Sequence, residues 1–144
     1  MKLEDIQTFW EKDSQVDRTE LGEEALKIPQ LHSKYFKIYS QERLTLRKLE
    51  ADMKQLKLSK YEFYTQGPTK ETQDLGWQLP PIGKILKSDV NSYIEGDKDI
   101  IYLSLKIGMQ QEKVDFVDSI IRSLNNRGYN IKAAIDWERF KVGA

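Results

Sequence analysis

Residues 21–63 read LGEEALKIPQLHSKYFKIYSQERLTLRKLEADMKQLKLSKYEF, and this stretch decides the fold. Positions 21, 25, 28, 32, 35, 39, 42, 46, 49, 53, 56, 60 and 63 advance by alternating steps of four and three. Ten of these thirteen positions are apolar or aromatic; the exceptions are His32, Glu42 and Lys60. That rhythm lays one stripe along an α-helix, in the manner of a coiled-coil seam, whereas a strand would alternate by two. Unbroken, such a helix spans about 65 Å at 1.5 Å per residue. Pro29 removes a helical hydrogen bond and predicts a kink or break. Ser40 followed by Glu42 in the seam marks a second candidate break. A long kinked helix and a helical hairpin both remain open from the pattern.

Working outward, residues 3–12 predict a short helix with Leu3, Ile6, Phe9 and Trp10 on one side. Asp17 with Glu20 resembles a capping box and predicts a helix start. Thr65 to Gly83 contains Gly67-Pro68, Gly76, Pro80-Pro81 and Gly83, and predicts a linker on which Trp77 docks against something. A short helix is expected over Lys84–Tyr93, and Asp97-Lys98-Asp99 reads as another helix N-terminus. The four-three stepping then returns at Ile100, Leu103, Ile107, Gln110, Val114, Val117, Ile121 and Leu124. A period-two alternation over Ile101–Met109 admits a strand there, but the heptad outruns it. Asn125-Asn126-Arg127-Gly128 predicts a helix stop, with Asn130 capping a last helix. The expected class is mainly α: long amphipathic or kinked helices, or a helical hairpin, with a C-terminal helical oligomerisation region. The expected division is 1–64, an N-terminal helical region with a basic segment; 65–83, the linker; and 84–144, a C-terminal helical assembly region.

Charge is balanced but segregated over the 144 residues, with 23 basic and 23 acidic side chains. Residues 1–33 carry four Lys/Arg against eight Asp/Glu, and residues 34–60 carry eight against three. A polyanion would meet the second block first. No cysteine excludes disulfides and thiolate chemistry, and a single histidine, His32, cannot build a multi-histidine metal site. No apolar run reaches the roughly 20 residues that span a bilayer, and the start is acidic with no signal-peptide core. The expectation is a soluble protein without a cofactor. No phosphate loop, nucleophile elbow or paired-histidine motif is present, so an enzyme is not expected.

On a helix, Arg47, Lys54, Lys57 and Tyr61 all point within roughly 40° of the direction of Arg43. Glu50 interrupts the row, Tyr39 lies at its edge and Lys60 flanks the seam. Cations with a neighbouring aromatic suit single-stranded nucleic acid, which offers phosphates and unpaired base faces. Nothing resembles a groove-reading module, so such binding would ignore base sequence. The plain alternative is a solvated face whose Lys and Arg stems cover the seam. Of the other candidates, Phe63 and His32 read as packed residues, Asp97 and Asp99 as helix caps rather than a metal site, and Trp137 and Phe140 as docking residues. Narrow seams on long helices call for a second surface, and self-association supplies one.

Several stretches then resemble one family. They are Met1-Lys2-Leu3-Glu4-Asp5-Ile6-Gln7, Leu31-His32-Ser33-Lys34-Tyr35, the segment Leu49 to Tyr64, Asp97-Lys98-Asp99-Ile100, and the tail Asn126-Arg127-Gly128-Tyr129-Asn130-Ile131-Lys132-Ala133-Ala134-Ile135-Asp136-Trp137. In order and over most of the chain outside the linker, they resemble the UvsY family of recombination mediators from large tailed bacteriophages. The resemblance implies a helical, non-enzymatic protein of the infected host's cytoplasm that binds single-stranded DNA. It implies a homo-oligomeric ring of six or seven subunits, seven favoured. It also implies help in loading the phage recombinase UvsX onto DNA coated by the phage single-strand-binding protein. The family's Leu-Lys-x-Arg-Leu run corresponds to Lys57-Leu58-Ser59-Lys60-Tyr61. Lys60 takes the Arg place, and Lys57 stands one residue before the Lys place, which Leu58 fills. The expected DNA-binding residues are therefore Arg43, Arg47, Lys54, Lys57, Lys60 and Tyr61, with no metal and no cofactor. The rival reading is a structural or adaptor coiled-coil protein that binds an acidic protein partner.

Overall fold

The computed structural model describes residues 1–143. Five helices follow in order: α1 (Leu3–Asp13), α2 (Leu21–Gln66), α3 (Lys70–Asp74), α4 (Val90–Glu95) and α5 (Lys98–Lys141). The described residues contain no strand. The mainly α class is as expected, and of the two open forms the first is found, because α2 is one helix of 46 residues.

Neither expected break in α2 occurs. Pro29 stands inside the helix and is exposed, so water can take the acceptor that it leaves unpaired. Glu42 keeps its seam position because its charge is matched. It is buried, with the Met1 ammonium at 3.6 Å and Lys113 Nζ at 3.4 Å. Asp17 does not cap the helix with Glu20. Its carboxylate instead accepts from the Thr19 amide and hydroxyl, and α2 begins at Leu21.

The chain packs as two compact units. Unit 1 comprises Met1–Leu44 and Gln111–Ala144, and unit 2 comprises Thr45–Gln110. The expected division in chain order at 64 and 83 groups the residues differently, because each long helix contributes to both units.

In unit 1, Ile6, Tyr35, Ile38, Val117, Ile120, Ile121 and Leu124 form the core, with Trp10, Leu31, Tyr39 and Phe116 packed against it. Asp13 ties α1 to α2: its carboxylate accepts from Lys34 at 2.6 Å and from the Tyr35 hydroxyl at 2.7 Å. Burial alone would raise the Asp13 carboxyl, but these two donors outweigh it and hold the group below its ordinary value. The predicted stop at Asn125–Gly128 is overturned, since α5 runs through it to Lys141. Leu124 and Ile131 are buried on either side, and Arg127 is buried with Nη2 donating to the Asp13 carbonyl at 3.0 Å. Tertiary contacts thus hold the turn helical, and Gly128 stays at negative φ.

In unit 2, Phe63, Tyr64, Ile85, Val90, Ile94 and Ile100 form the core. Gly67 ends α2 at φ 97°, with its N–H donating to the Phe63 carbonyl at 3.0 Å, a left-handed cap that favours glycine. The expected linker contains α3, whose N-terminus is a Thr69–Thr72 capping box. Trp77 docks edge-on to Phe63, with centroids 5.5 Å apart. The expected helix at Lys84–Tyr93 is displaced to Val90–Glu95. The Ile85 N–H is committed to the Tyr64 carbonyl at 2.8 Å, which takes it out of any helical ladder. Asp97 caps α5 as expected, its Oδ1 accepting from the amides of Asp99 at 2.9 Å and Ile100 at 3.3 Å. Residues 101–109 are helical, not a strand.

Candidate nucleic-acid interface

The second half of α2 carries two kinds of lysine. Arg47, Lys54 and Lys57 are exposed on the flank of the seam marked by Leu46, Leu49, Met53 and Leu56. Among the described residues, no carboxylate forms an ion pair with any of the three. Glu50, also exposed, is the one acidic interruption in the row. Tyr61 is half-buried. It lines an open cleft of about 590 Å³ with Met53, Lys57 and Leu58 of α2, Ile94 of α4, and Ile101 and Leu105 of α5. Its polar lining is Lys57, Asn91, Ser104 and one carboxylate, Glu95, and the rest of the wall is apolar or aromatic. Arg43 lies in unit 1, exposed, with its guanidinium carbon 5.9 Å from the Tyr39 ring centroid.

Lys60 is a correction. It is 3% exposed and cannot present its ammonium to a phosphate in solvent. Its Nζ lies 3.1 Å from Asp97 Oδ2, 2.8 Å from Asp99 Oδ2 and 3.7 Å from the Trp77 ring centroid. The Tyr64 hydroxyl donates to Asp97 Oδ2 at 2.5 Å. Burial tends to raise the Asp97 carboxyl, but the Tyr64 and Lys60 donors reverse this and hold it below its ordinary value of 3.8. The Tyr64 hydroxyl is pushed up, first by burial and then by the carboxylate it faces. Every charge in this cluster has a partner, as burial demands. Its chemistry is structural: it joins α2 to the start of α5 inside unit 2.

The sequence reading missed this cluster, although its signal was present. Lys60 occupies a seam position, and a cation there must be either displaced or neutralised. Tyr64, which the periodicity does not single out, supplies the hydroxyl that completes the arrangement. Among the described residues, no group of His, Asp and Glu could hold a metal ion. No helix among them is long and apolar enough to cross a membrane.

Comparison with known proteins places the arrangement in a family. The sequence profile described as "Recombination, repair and ssDNA binding protein UvsY" matches residues 9–144. The chain belongs to the UvsY family. It is 25% identical over 144 residues to the recombination protein uvsY of Enterobacteria phage T4, covering 99% of each chain. A crystal structure of the bacteriophage T4 recombination mediator protein UvsY (lattice type II) matches with a TM-score of 0.80 and 26% identity over 99% of each chain. A second UvsY crystal form (lattice type IV) shares the fold with a TM-score of 0.78, at 23% identity, covering 98% of this chain and 99% of that one. The five-helix arrangement is thus a UvsY fold, and the chain spans nearly the full length of these relatives.

Proposed function

We propose that this chain is a recombination mediator that binds single-stranded DNA without sequence specificity. In this reading it promotes loading of a phage recombinase of the UvsX kind onto DNA coated by a single-strand-binding protein. It performs no catalysis itself and works in the cytoplasm of the infected bacterium. The observation that carries the reading is the exposed set Arg47, Lys54 and Lys57, none of which forms an ion pair with a carboxylate among the described residues. Three exposed cations on one helical flank suit a flexible polyphosphate, and each phosphate neutralised releases condensed counterion. Tyr61, beside Lys57, offers a partly open ring for a base. Arg43 adds an exposed cation in unit 1. Lys60 is left out because its charge is already satisfied.

Self-association multiplies so small a site, since each added subunit raises effective concentration. The surface that supports it is the end of α5, where Trp137 and Phe140 stack 5.5 Å apart at 21° while 56% and 72% exposed. The assembly in this reading is a homo-oligomeric ring of the family type.

The test combines binding and loading. Labelled oligo-dT should bind saturably at low salt. The chain should also shorten the lag before the recombinase hydrolyses ATP on DNA coated with single-strand-binding protein. Absence of both effects, with capture of an acidic protein instead, would support the adaptor reading.

A further inference from the structure

The first half of α2 carries a ring ladder that the core of unit 1 accounts for only at Tyr39. His32 and Phe36 lie nearly parallel, at 13°, with centroids 5.9 Å apart. Phe36 and Tyr39 follow at 6.0 Å. The Arg43 guanidinium closes the series over Tyr39. The i, i+4, i+7, i+11 spacing keeps all four side chains on one helical face. An aromatic at such spacing usually belongs to a core. Phe36 does not, being 51% exposed.

Three features say what fits this face. Tyr39 packs against the unit 1 core, so one end of the ladder is held in place and little side-chain freedom is lost on binding. The electrostatics favour an anion. Residues 32–43 hold a single acidic side chain, Glu42. That carboxylate is turned inward to the Met1 ammonium and Lys113. Arg43 stays exposed at the end of the series. A flat apolar face that ends in an exposed cation matches a base attached to a phosphate. A purely apolar protein helix would gain nothing from Arg43.

We propose that His32, Phe36 and Tyr39, with Arg43 at one end, form a base-stacking platform for unpaired nucleotides. This rests on the single-stranded DNA reading above and assigns the bases a site in unit 1. Phe36 supplies the open face, His32 backs it, and Tyr39 fixes the ladder to the core. The platform reads no base edge, so it prefers stacked bases over bare phosphate without choosing among sequences.

The test uses the full chain and two probes of equal length, oligo-dT and an abasic deoxyribose-phosphate oligomer. The unsubstituted chain should bind oligo-dT more tightly than the abasic strand. Phe36→Ala should weaken oligo-dT binding about fivefold or more, the lower end of the loss of one stacked base. Its abasic affinity and its salt dependence should stay unchanged. Phe36→Trp should restore the preference, and Phe36→Leu, apolar but not flat, should not. An unchanged oligo-dT preference in Phe36→Ala overturns the platform while leaving the DNA-binding reading intact. A smaller sedimenting mass for Phe36→Ala, restored by Phe36→Leu, also overturns it, by assigning the face to a second copy of the chain. Failure of the unsubstituted chain to bind either probe overturns the parent reading together with the platform.

Discussion

Lys57 and Lys60 lie one helical turn apart on α2, and the structure gives them opposite environments. Around Lys57 the helix is exposed, and the ammonium forms no ion pair among the described residues. Around Lys60 the same helix turns into the unit 2 core, and the ammonium meets two carboxylates and an indole. Equal charge in sequence therefore does not mean equal availability. A cation on the flank serves partners outside the molecule; a cation in the seam is consumed by the fold. Residues 34–60 carry five more basic than acidic side chains. That excess overstates what a strand of DNA can meet, because Lys60 is committed inside unit 2 and Lys34 is paired with Asp13 in unit 1.

The largest effect should come from breaking the inner cluster. Lys60→Met keeps most of the side-chain volume but leaves the Asp97 carboxylate without its cation. Removing one partner of a buried pair costs about 3–5 kcal/mol. Asp97 is the partner that matters, because Asp99 is half exposed and contributes little. Urea unfolding should show this loss, and Lys60→Met combined with Asp97→Asn should recover part of it by removing the orphaned charge. Equal stability of Lys60→Met and the unsubstituted chain would remove the distinction between the two lysines.

A smaller effect follows from the hydroxyl. Tyr64→Phe deletes a hydrogen bond to a charged acceptor, a loss of about 1.5–3 kcal/mol. It also bears on pH. The Asp97 carboxyl is depressed in the folded chain, so its stabilising contribution is fully present above its ordinary value of 3.8 and is lost as pH falls through the lower folded value. Without the Tyr64 donor the folded value rises, and acid unfolding followed by circular dichroism should begin at a higher pH. An unshifted acid transition would show that the hydroxyl does not support the carboxylate.

The smallest effect on stability belongs to the outer row. Lys54→Ala or Lys57→Ala should move the urea midpoint by no more than about 0.5 kcal/mol equivalent, as for exposed sites generally. A larger change would mean that these side chains take part in packing.

The comparison also explains what the sequence could disclose. Periodicity carried the helical class, and the Asp97 cap and Trp77 docking could be read from local chemistry. Local signals failed where distant residues supply the compensation. Glu42 resembled a break because its partners, Met1 and Lys113, lie at the other end of the chain or on another helix. Asn125–Gly128 resembled a stop because Asp13, which holds Arg127, is more than a hundred positions away. Ile85 was assigned to a helix because its commitment to the Tyr64 carbonyl leaves no trace in its own neighbourhood. The same limit governed the site. The angular row was visible in residue spacing, whereas the withdrawal of Lys60 and the exposure of Phe36 depend on which side of α2 the rest of each unit covers.

The most direct test of the central claim, that an exposed cationic flank holds the strand, is oligo-dT affinity measured across a salt series. The unsubstituted chain should be compared with Arg47→Ala/Lys54→Ala/Lys57→Ala at matched fold and sedimenting mass. With a slope of about 0.7 per phosphate on single strands, losing three contacts should flatten the log–log plot by about 2 and weaken binding at low salt. An identical slope and affinity in the folded triple variant would contradict the account.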